Sequence, residues 1–581
     1  MRTLIWDEVP CDDEATRRLS DALRLAPAVA RLLCQRGLAD PDAADRFLRP
    51  SLDHLHTPWD LADMRPAVNR LLAAVSRRER IAIHGDYDVD GVTSTVMLRR
   101  ALELLGGEVT HFIPERMRDG YGLQAAGVER LAADGVRVIV SVDCGIRSSE
   151  AARRARELGV DLIITDHHEP ECDLPQALAV INPKRSDCRY PDKYLAGVGV
   201  AFKVVQALCE RTDRQKWLPA FLKLAAIGTV ADVVPLVGEN RVIAKLGLER
   251  LSRGPHTVGL RTLLEVAGLA DRSVDGFGVS FVLAPRINAA GRMSTPDIAT
   301  RLLLASDETQ ADEVRRLAEQ LNEENTRRQA HEAEIVTAAR KSVDADPAIG
   351  AHNILVVAGE GWHRGVIGIV ASKLVESYYK PTIVLSIEDG VAHGSCRSIP
   401  GFDMLAALEG CADLLQKFGG HRQAAGLTLE AARVGELRTR LAAHALQVLE
   451  PTDLMPRLRI DAPLRLAAID PRLVEGLDAL APFGAANPKP VFDGDAVEMV
   501  GEPRRIKDRH LKLRVKQDGR IFSAMAWRSA ERAPFVEANR HALRLAYSLD
   551  RQTWQGQTTI ELTVADVRAG GQPSPPSGDA T

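Results

Sequence analysis

The stretch Ile81-Ala-Ile-His-Gly-Asp-Tyr-Asp-Val-Asp-Gly91 decides how the rest of the chain is read. An apolar run delivers a histidine, three aspartates and a glycine, and His84, Asp86, Asp88 and Asp90 occupy alternate positions. An extended backbone would turn all four to one side. Carboxylates so crowded repel one another, and at neutral pH cations hold them together better than protonation does. The run Asp86-x-Asp88-x-Asp90-Gly91 also opens like a calcium loop, but that loop needs a glutamate at its twelfth position, where Met97 stands.

Outward from this stretch, apolar runs of four to six residues alternate with amphipathic segments. They predict strands over 80–84, 109–114, 137–143, 161–166 and 178–182, with helices over 93–105, 123–133 and 148–158. This βαβ rhythm implies a parallel sheet covered on both faces, whose ligands sit beyond the carboxyl ends of the strands. The polar residues obey that rule. Asp143 closes one run and Asp166-His167-His168 closes another, so three acid or imidazole clusters converge. A lone aspartate at a strand end is usually a helix cap, but three in register are not. Carboxylates with imidazole and no thiolate suit divalent ions, manganese more than magnesium. Asp232, after the apolar run from 224, either adds a carboxylate to this crevice or caps a turn.

Gly197-Val-Gly199 lacks a third glycine at Phe202, which removes a dinucleotide fingerprint, and there is no GxxxxGK[ST] for a nucleotide-binding loop. The eight cysteines form no CxxC pair, which argues against a zinc knuckle and a disulfide framework. No apolar run approaches the roughly 18 residues of a membrane span. With no secretory leader at the N-terminus, a cytoplasmic location is expected. At 581 residues the chain has room for several domains, and a net charge of −4 neither predicts nor excludes a nucleic-acid partner.

Five regions are expected around a catalytic domain at 61–305. Residues 1–60 read as a helical lead-in. A stretch free of glycine and proline from 306 reads as a connecting helix to about 345, long enough at 1.5 Å per residue to span roughly 50 Å. Residues 346–452 read as a second α/β domain and 453–569 as short strands of a β-barrel, with a disordered tail over 570–581. In the barrel region, Arg504 to Lys516 holds seven Lys or Arg against one Asp, and Leu511, Leu513 and Val515 alternate with Lys512, Arg514 and Lys516. One strand face is therefore basic and the other is core.

In order, HGDYDVDG, VDCG, TDHH, GTVADVVPL and GGHRQAAG resemble the DHH phosphoesterase superfamily, and within it the single-strand-specific exonucleases. The resemblance spans residues from about 80 to 430. It implies a parallel-sheet DHH domain, a long connecting helix, a second α/β DHH-associated domain that clamps substrate, and an OB-like barrel. It also implies two divalent metal ions, manganese preferred and magnesium possible, sharing Asp143. His84 and Asp88 would complete one site, and Asp90, His167 and Asp232 the other. The catalytic set would be Asp143, Asp86 beside the ligands, and His168 facing the scissile phosphate.

Phosphate contacts would come from Arg116 and Tyr121 in the loop 113–122. Arg286 and Arg292, in a loop of small residues, are further candidates that the sequence does not distinguish. Arg364, Ser395, Arg397 and His421 lie in glycine-rich turns, where arginine forks and freed amides suit phosphate oxygens. On the barrel, Arg504, Arg505, Lys512 and Arg514 would track a single strand, with Phe522 and Trp527 nearby.

The implied activity is 5′-to-3′ hydrolysis of single-stranded DNA to mononucleotides in repair and recombination. The partners implied are single-stranded DNA, single-strand-binding protein and a helicase, with no membrane and a monomeric chain. A small-substrate phosphodiesterase or pyrophosphatase would share the metal site without needing the long helix and barrel. An inactive replication scaffold would share the architecture without needing the intact ligand set.

Overall fold

A computed structural model describes residues 4–115, 122–554 and 557–571, which form two compact units: 56–234 with 246–456, and 4–55 with 235–245 and the chain from 457. Among the described residues no helix is long and apolar enough to cross a membrane.

In the first unit, five parallel strands lie in the order Val109–Phe112, Ile81–Gly85, Val138–Val142, Asp161–Thr165, Ala179–Ile181. The three central strands are apolar and almost wholly buried, as a sheet covered on both faces demands. Ala82, Ile139, Leu162 and Ile164 pack with Val128, Leu131, Ala151 and Ala155 of the helices Ala125–Ala133 and Ser149–Glu157. Three further helices, Val89–Leu104, Gly197–Arg211 and Leu218–Ala231, pack against one another. Chain order along the sheet is second, first, third, fourth, fifth, so the direction of winding reverses between Ile81–Gly85 and Val138–Val142. A crevice opens at such a reversal, beyond the strands' carboxyl ends.

The helix Ala311–Ala345 has 35 residues and measures roughly 50 Å. Its N-terminal half packs on the helices Val258–Val266, Ala284–Met293 and Asp297–Leu304. Further along, Ile335, Ala339 and Val343 enter a core with Val357, Val370 and Leu374. That core belongs to a second sheet, ordered Leu415–His421, Ala424–Glu430, Val391–Arg397, Thr382–Glu388, Leu355–Glu360, in which only the last pair is parallel.

Three local expectations differ from the structure. Residues 284–292 are not a loop but the helix Ala284–Met293, whose Pro285 sits in the first turn, where a missing N–H costs nothing. The glycine-rich segments at 394–398 and 419–426 lie mostly in strands. Gly419 to His421 and Ala424 to Gly426 are the arms of a hairpin turning at Arg422 and Gln423. The helix expected from 404 ends at Glu409, before Gly410, and Leu415 already belongs to that hairpin.

The second unit closes five strands into a barrel: Phe492–Met499, Leu543–Trp554, Gln557–Ala569, Arg520–Ala526 and His510–Gln517, the last pairing back to the first at Val515 and Met499. The N-terminal segment is not a free-standing lead-in. Ile5–Glu8 pairs in parallel with Arg457–Ile460, and Leu19, Val29, Leu32 and Leu33 share one core with Leu473, Leu477, Leu480 and the barrel. Arg241, 1% exposed, donates from Nε to the Phe47 carbonyl (2.6 Å) and from Nη1 to that of Leu480 (3.0 Å). Removing residues 457–581 alone therefore strips four buried side chains of their partners, each worth about 1.5–3 kcal/mol. The expected outcome is aggregation of the truncated chain, with solubility regained when residues 1–55 are removed as well, read by size-exclusion chromatography.

Candidate active site

The strand Ile81–Gly85 ends before the aspartates begin, so the alternation in the sequence is not an extended run. The chain turns instead, and Asp88 caps the helix Val89–Leu104 by accepting the Gly91 amide at 3.1 Å. Asp90 lies in the first helical turn. Carboxylates at a helix N-terminus are stabilised by its exposed amides, which is why this crossing tolerates them. Gly91 is required by close approach: a Cβ there would stand 2.4 Å from the Asp86 carbonyl oxygen.

Asp143 follows the neighbouring strand with φ of 60°, a left-handed conformation that aspartate tolerates better than most residues. Gly197 opens a further helix against it, where a Cβ would stand 2.5 Å from Asp143 Oδ1. The amides of Gly197 and Val198 each donate to the Asp90 carboxylate at 2.7 Å. Asp232 ends the helix Leu218–Ala231. Asn288 Oδ1 accepts the Val89 amide at 3.1 Å and so holds the aspartate turn. No sequence signal marked Asn288 or Gly197, because their roles are those of neighbours in space.

These elements form three groups whose donor atoms all lie within 4.8 Å: Asp86, Asp88 and Asp143; Asp90, His167 and Asp232; and Asp143, His167 and His168. His167 Nε2 stands 3.2 Å from Asp143 Oδ1, 3.7 Å from Asp232 Oδ2 and 4.0 Å from Asp90 Oδ2. His84 is buried but joins none of the three groups. Its Nδ1 is 3.8 Å from Cys144 Sγ and its ring packs at 5.3 Å on Phe112, while Asp86 joins Asp88 and Asp143.

Electrostatics fit this donor set to cations. Burial, then the charges of Asp232 and Asp88, pushes the Asp90 carboxyl well above its ordinary range, and burial with Asp90 does the same to Asp143. Burial and Asp88 push Asp232 up to about 7. His167 is pushed down to about 4 by burial and by His168, which keeps the imidazole neutral, as a metal ligand must be. Asp143 Oδ1 and His167 Nε2 are buried without a hydrogen-bond partner. Orphaned acceptors among mutually repelling carboxylates are relieved by divalent ions.

His168 is held differently. Its Nδ1 lies 2.7 Å from Asp166 Oδ1, and Asp166 also accepts the amides of Ile146, His167 and His168. Burial works against charge on both partners. Their bond prevails, holding Asp166 below and His168 above the ordinary value.

Metal loading should stabilise the fold. Manganese at a hundred times its Kd adds about 2.7 kcal/mol. A rise in Tm of a few degrees, abolished by chelator, is expected by scanning calorimetry.

A cleft of about 800 Å3 in the same unit is lined by Tyr87, Arg292, Arg364, Ser395, Arg397 and Lys417, among others. The helix Ile367–Tyr378 enters it N-terminus first, with the Ser395 hydroxyl and the Arg397 guanidinium close to Gly368. Helix amides, a hydroxyl and guanidinium groups make an anion site. Lys417 and His393 also line it, and the sequence did not single them out. His421 is exposed at the hairpin end, outside this lining. Arg286 lies outside it as well, donating to Asn322 Oδ1 and the Val282 carbonyl, whereas Arg292 donates to the Gly365 carbonyl within it. Arg116 and Tyr121 lie outside the described residues. On the barrel, Arg504, Arg505 and Arg514 are exposed and Lys512 pairs with Glu561 at 3.3 Å, while Leu511, Leu513 and Val515 are core.

Residues 80–229 match the DHH family N-terminal domain, 351–446 the DHHA1 domain and 460–566 the RecJ OB domain. The chain is 39% identical over 568 residues to the single-stranded-DNA-specific exonuclease RecJ of Bacillus subtilis, covering 97% of this chain and 70% of that one. It is 34% identical to the RecJ of Escherichia coli, covering 94% and 96% of the two. The crystal structure of RecJ from Thermus thermophilus in complex with Mn2+ superposes with a TM-score of 0.82 at 32% identity, over 98% of this chain and 80% of that one.

Proposed function

The chain belongs to the RecJ family of DHH proteins, and from that membership we propose that it hydrolyses single-stranded DNA from the 5′ end to mononucleotides, in repair and recombination. One observation carries the reading: an aspartate–histidine centre at the sheet's reversal point and a basic cleft with helix amides share one compact unit.

Asp143 would bridge two divalent ions. Asp88 and His84 would serve one, with Asp86 beside them, and Asp90, His167 and Asp232 the other. Bound there, such ions supply Lewis acidity toward phosphoryl oxygens and an acidified water. The chain's own groups do the rest. Arg364, Ser395, Arg397 and the amides near Gly368 hold a phosphate of the strand in the cleft, with Arg292 and Lys417 adding charge. His168, oriented and kept protonated by Asp166, donates a hydrogen bond to the reacting phosphate and neutralises charge that develops on it. Arg504, Arg505 and Arg514 draw the strand's distal part along the barrel. The protein works as a cytoplasmic monomer, with single-strand-binding protein and a helicase presenting its substrate.

Polarity is tested by digesting one oligonucleotide labelled at either end with manganese present. Release of mononucleotide first from the 5′ label is expected, and early release from the 3′ label would refute the assignment. A small-substrate phosphodiesterase would leave both labels on long strands and cut only very short ones.

A further inference from the structure

Phe277 and Phe281 are 65% and 68% exposed, although each ring carries a large apolar area that folding normally hides. Their ring centroids are 4.8 Å apart with planes inclined by 31°, so the two form one aromatic surface. They sit on the π-helical run Gly278–Leu283 and the residue before it, a helical form found mostly at functional sites.

This run continues without a break into the helix Ala284–Met293. Along that helix Asn288 holds the Val89 amide between two of the metal-centre aspartates, Gly291 lies against the Tyr87 backbone, and Arg292 lines the cleft. At about 1.5 Å per residue, Phe281 stands roughly 10 Å up the same rod from Asn288. Between them is Arg286, half buried, held by Asn322 and the Val282 carbonyl. Among the described residues it pairs with no carboxylate, and burial alone acts on its charge. An aromatic pair beside a fixed, uncompensated guanidinium matches bases and phosphate of an unpaired strand, because every base has a stacking face and stacking tolerates sequence.

We propose that Phe277 and Phe281 form a stacking platform for bases of single-stranded DNA several nucleotides from the reacting phosphate, with Arg286 facing the backbone between platform and metal centre. The proposal rests on the functional reading above and adds a subsite to it. A duplex keeps its bases stacked on one another and offers none to the platform, so the pair contributes to strand selectivity. A protein partner seeking the same rings would need no cation there.

The test measures binding of labelled oligothymidines of about four and about sixteen nucleotides, the range that single-strand sites span, in chelator so that nothing is cut. Phe277→Ala with Phe281→Ala should lower the ratio of long-strand to short-strand affinity by about tenfold or more. Phe281→Trp should keep the ratio near that of the parent, and its added fluorescence should be quenched by the long oligonucleotide. An unchanged ratio in the double variant, or fluorescence indifferent to the long strand, overturns the platform and leaves the rings as a protein-docking face. Failure of the unsubstituted protein to bind single strands would overturn the functional reading and this inference together, whereas binding indifferent to the double substitution overturns this inference alone.

Discussion

Asp143→Ala is expected to lower kcat on single-stranded DNA by about a thousandfold or more while DNA binding persists. The carboxylate belongs to two of the three donor groups and holds an orphaned buried oxygen 3.2 Å from His167. A bridging ligand has no substitute, and losing it removes acidified water and charge neutralisation together. Binding should be equal or tighter, because a negative charge leaves the path of a polyanion while Arg364, Arg397 and Lys417 remain. Asp143→Asn, which keeps the shape, should be nearly as slow. Rates above about a tenth of the parent at saturating manganese would show that Asp143 is not shared.

Gly197→Ala should cost about a hundredfold in kcat although glycine carries no chemistry. The new methyl would overlap Asp143 Oδ1 and Cβ at 2.5 and 2.7 Å, contacts that real structures do not make. Asp143 can escape only by leaving its φ of 60°, and Gly197 only by breaking its amide bond to Asp90. Either movement displaces a donor atom by about 1 Å, enough for such a loss. The comparison variant is Gly435→Ala on the helix Val434–Val448, where an added Cβ meets nothing within 4 Å and the helix gains propensity. Unchanged folding in both variants, with activity lost only in the first, is the expected pattern by circular dichroism and turnover.

The sheet and the convergence of its ends were legible because a strand buried on both faces must be a continuous apolar run, and Ile81, Val138 and Asp161 each open one. Asp143 and His167 were legible as residues that end such runs. How the aspartates meet was not, because alternation and helix capping use the same spacing at Asp86, Asp88 and Asp90. Only contact with Gly197, Val198 and Asn288 selects the helix. The segment 284–292 looked like a loop through its proline and glycine, yet Pro285 fits a first turn and Gly291 is small because Tyr87 passes close by. The hairpin at Gly419 looked like a turn because glycines that let strands approach resemble glycines that bend them. Likewise the lead-in's helices were visible in Leu19 and Leu33, whereas their burial against Leu473 and Leu477 depends on residues more than four hundred positions away.

The central claim, that the aspartate–histidine centre is a divalent-metal site cutting single strands, is tested most directly by the initial rate on single-stranded DNA of the chelated protein as manganese is restored. No release of mononucleotides without the ion, and recovery that saturates on titration, is the predicted result. Turnover that persists in excess chelator would contradict it.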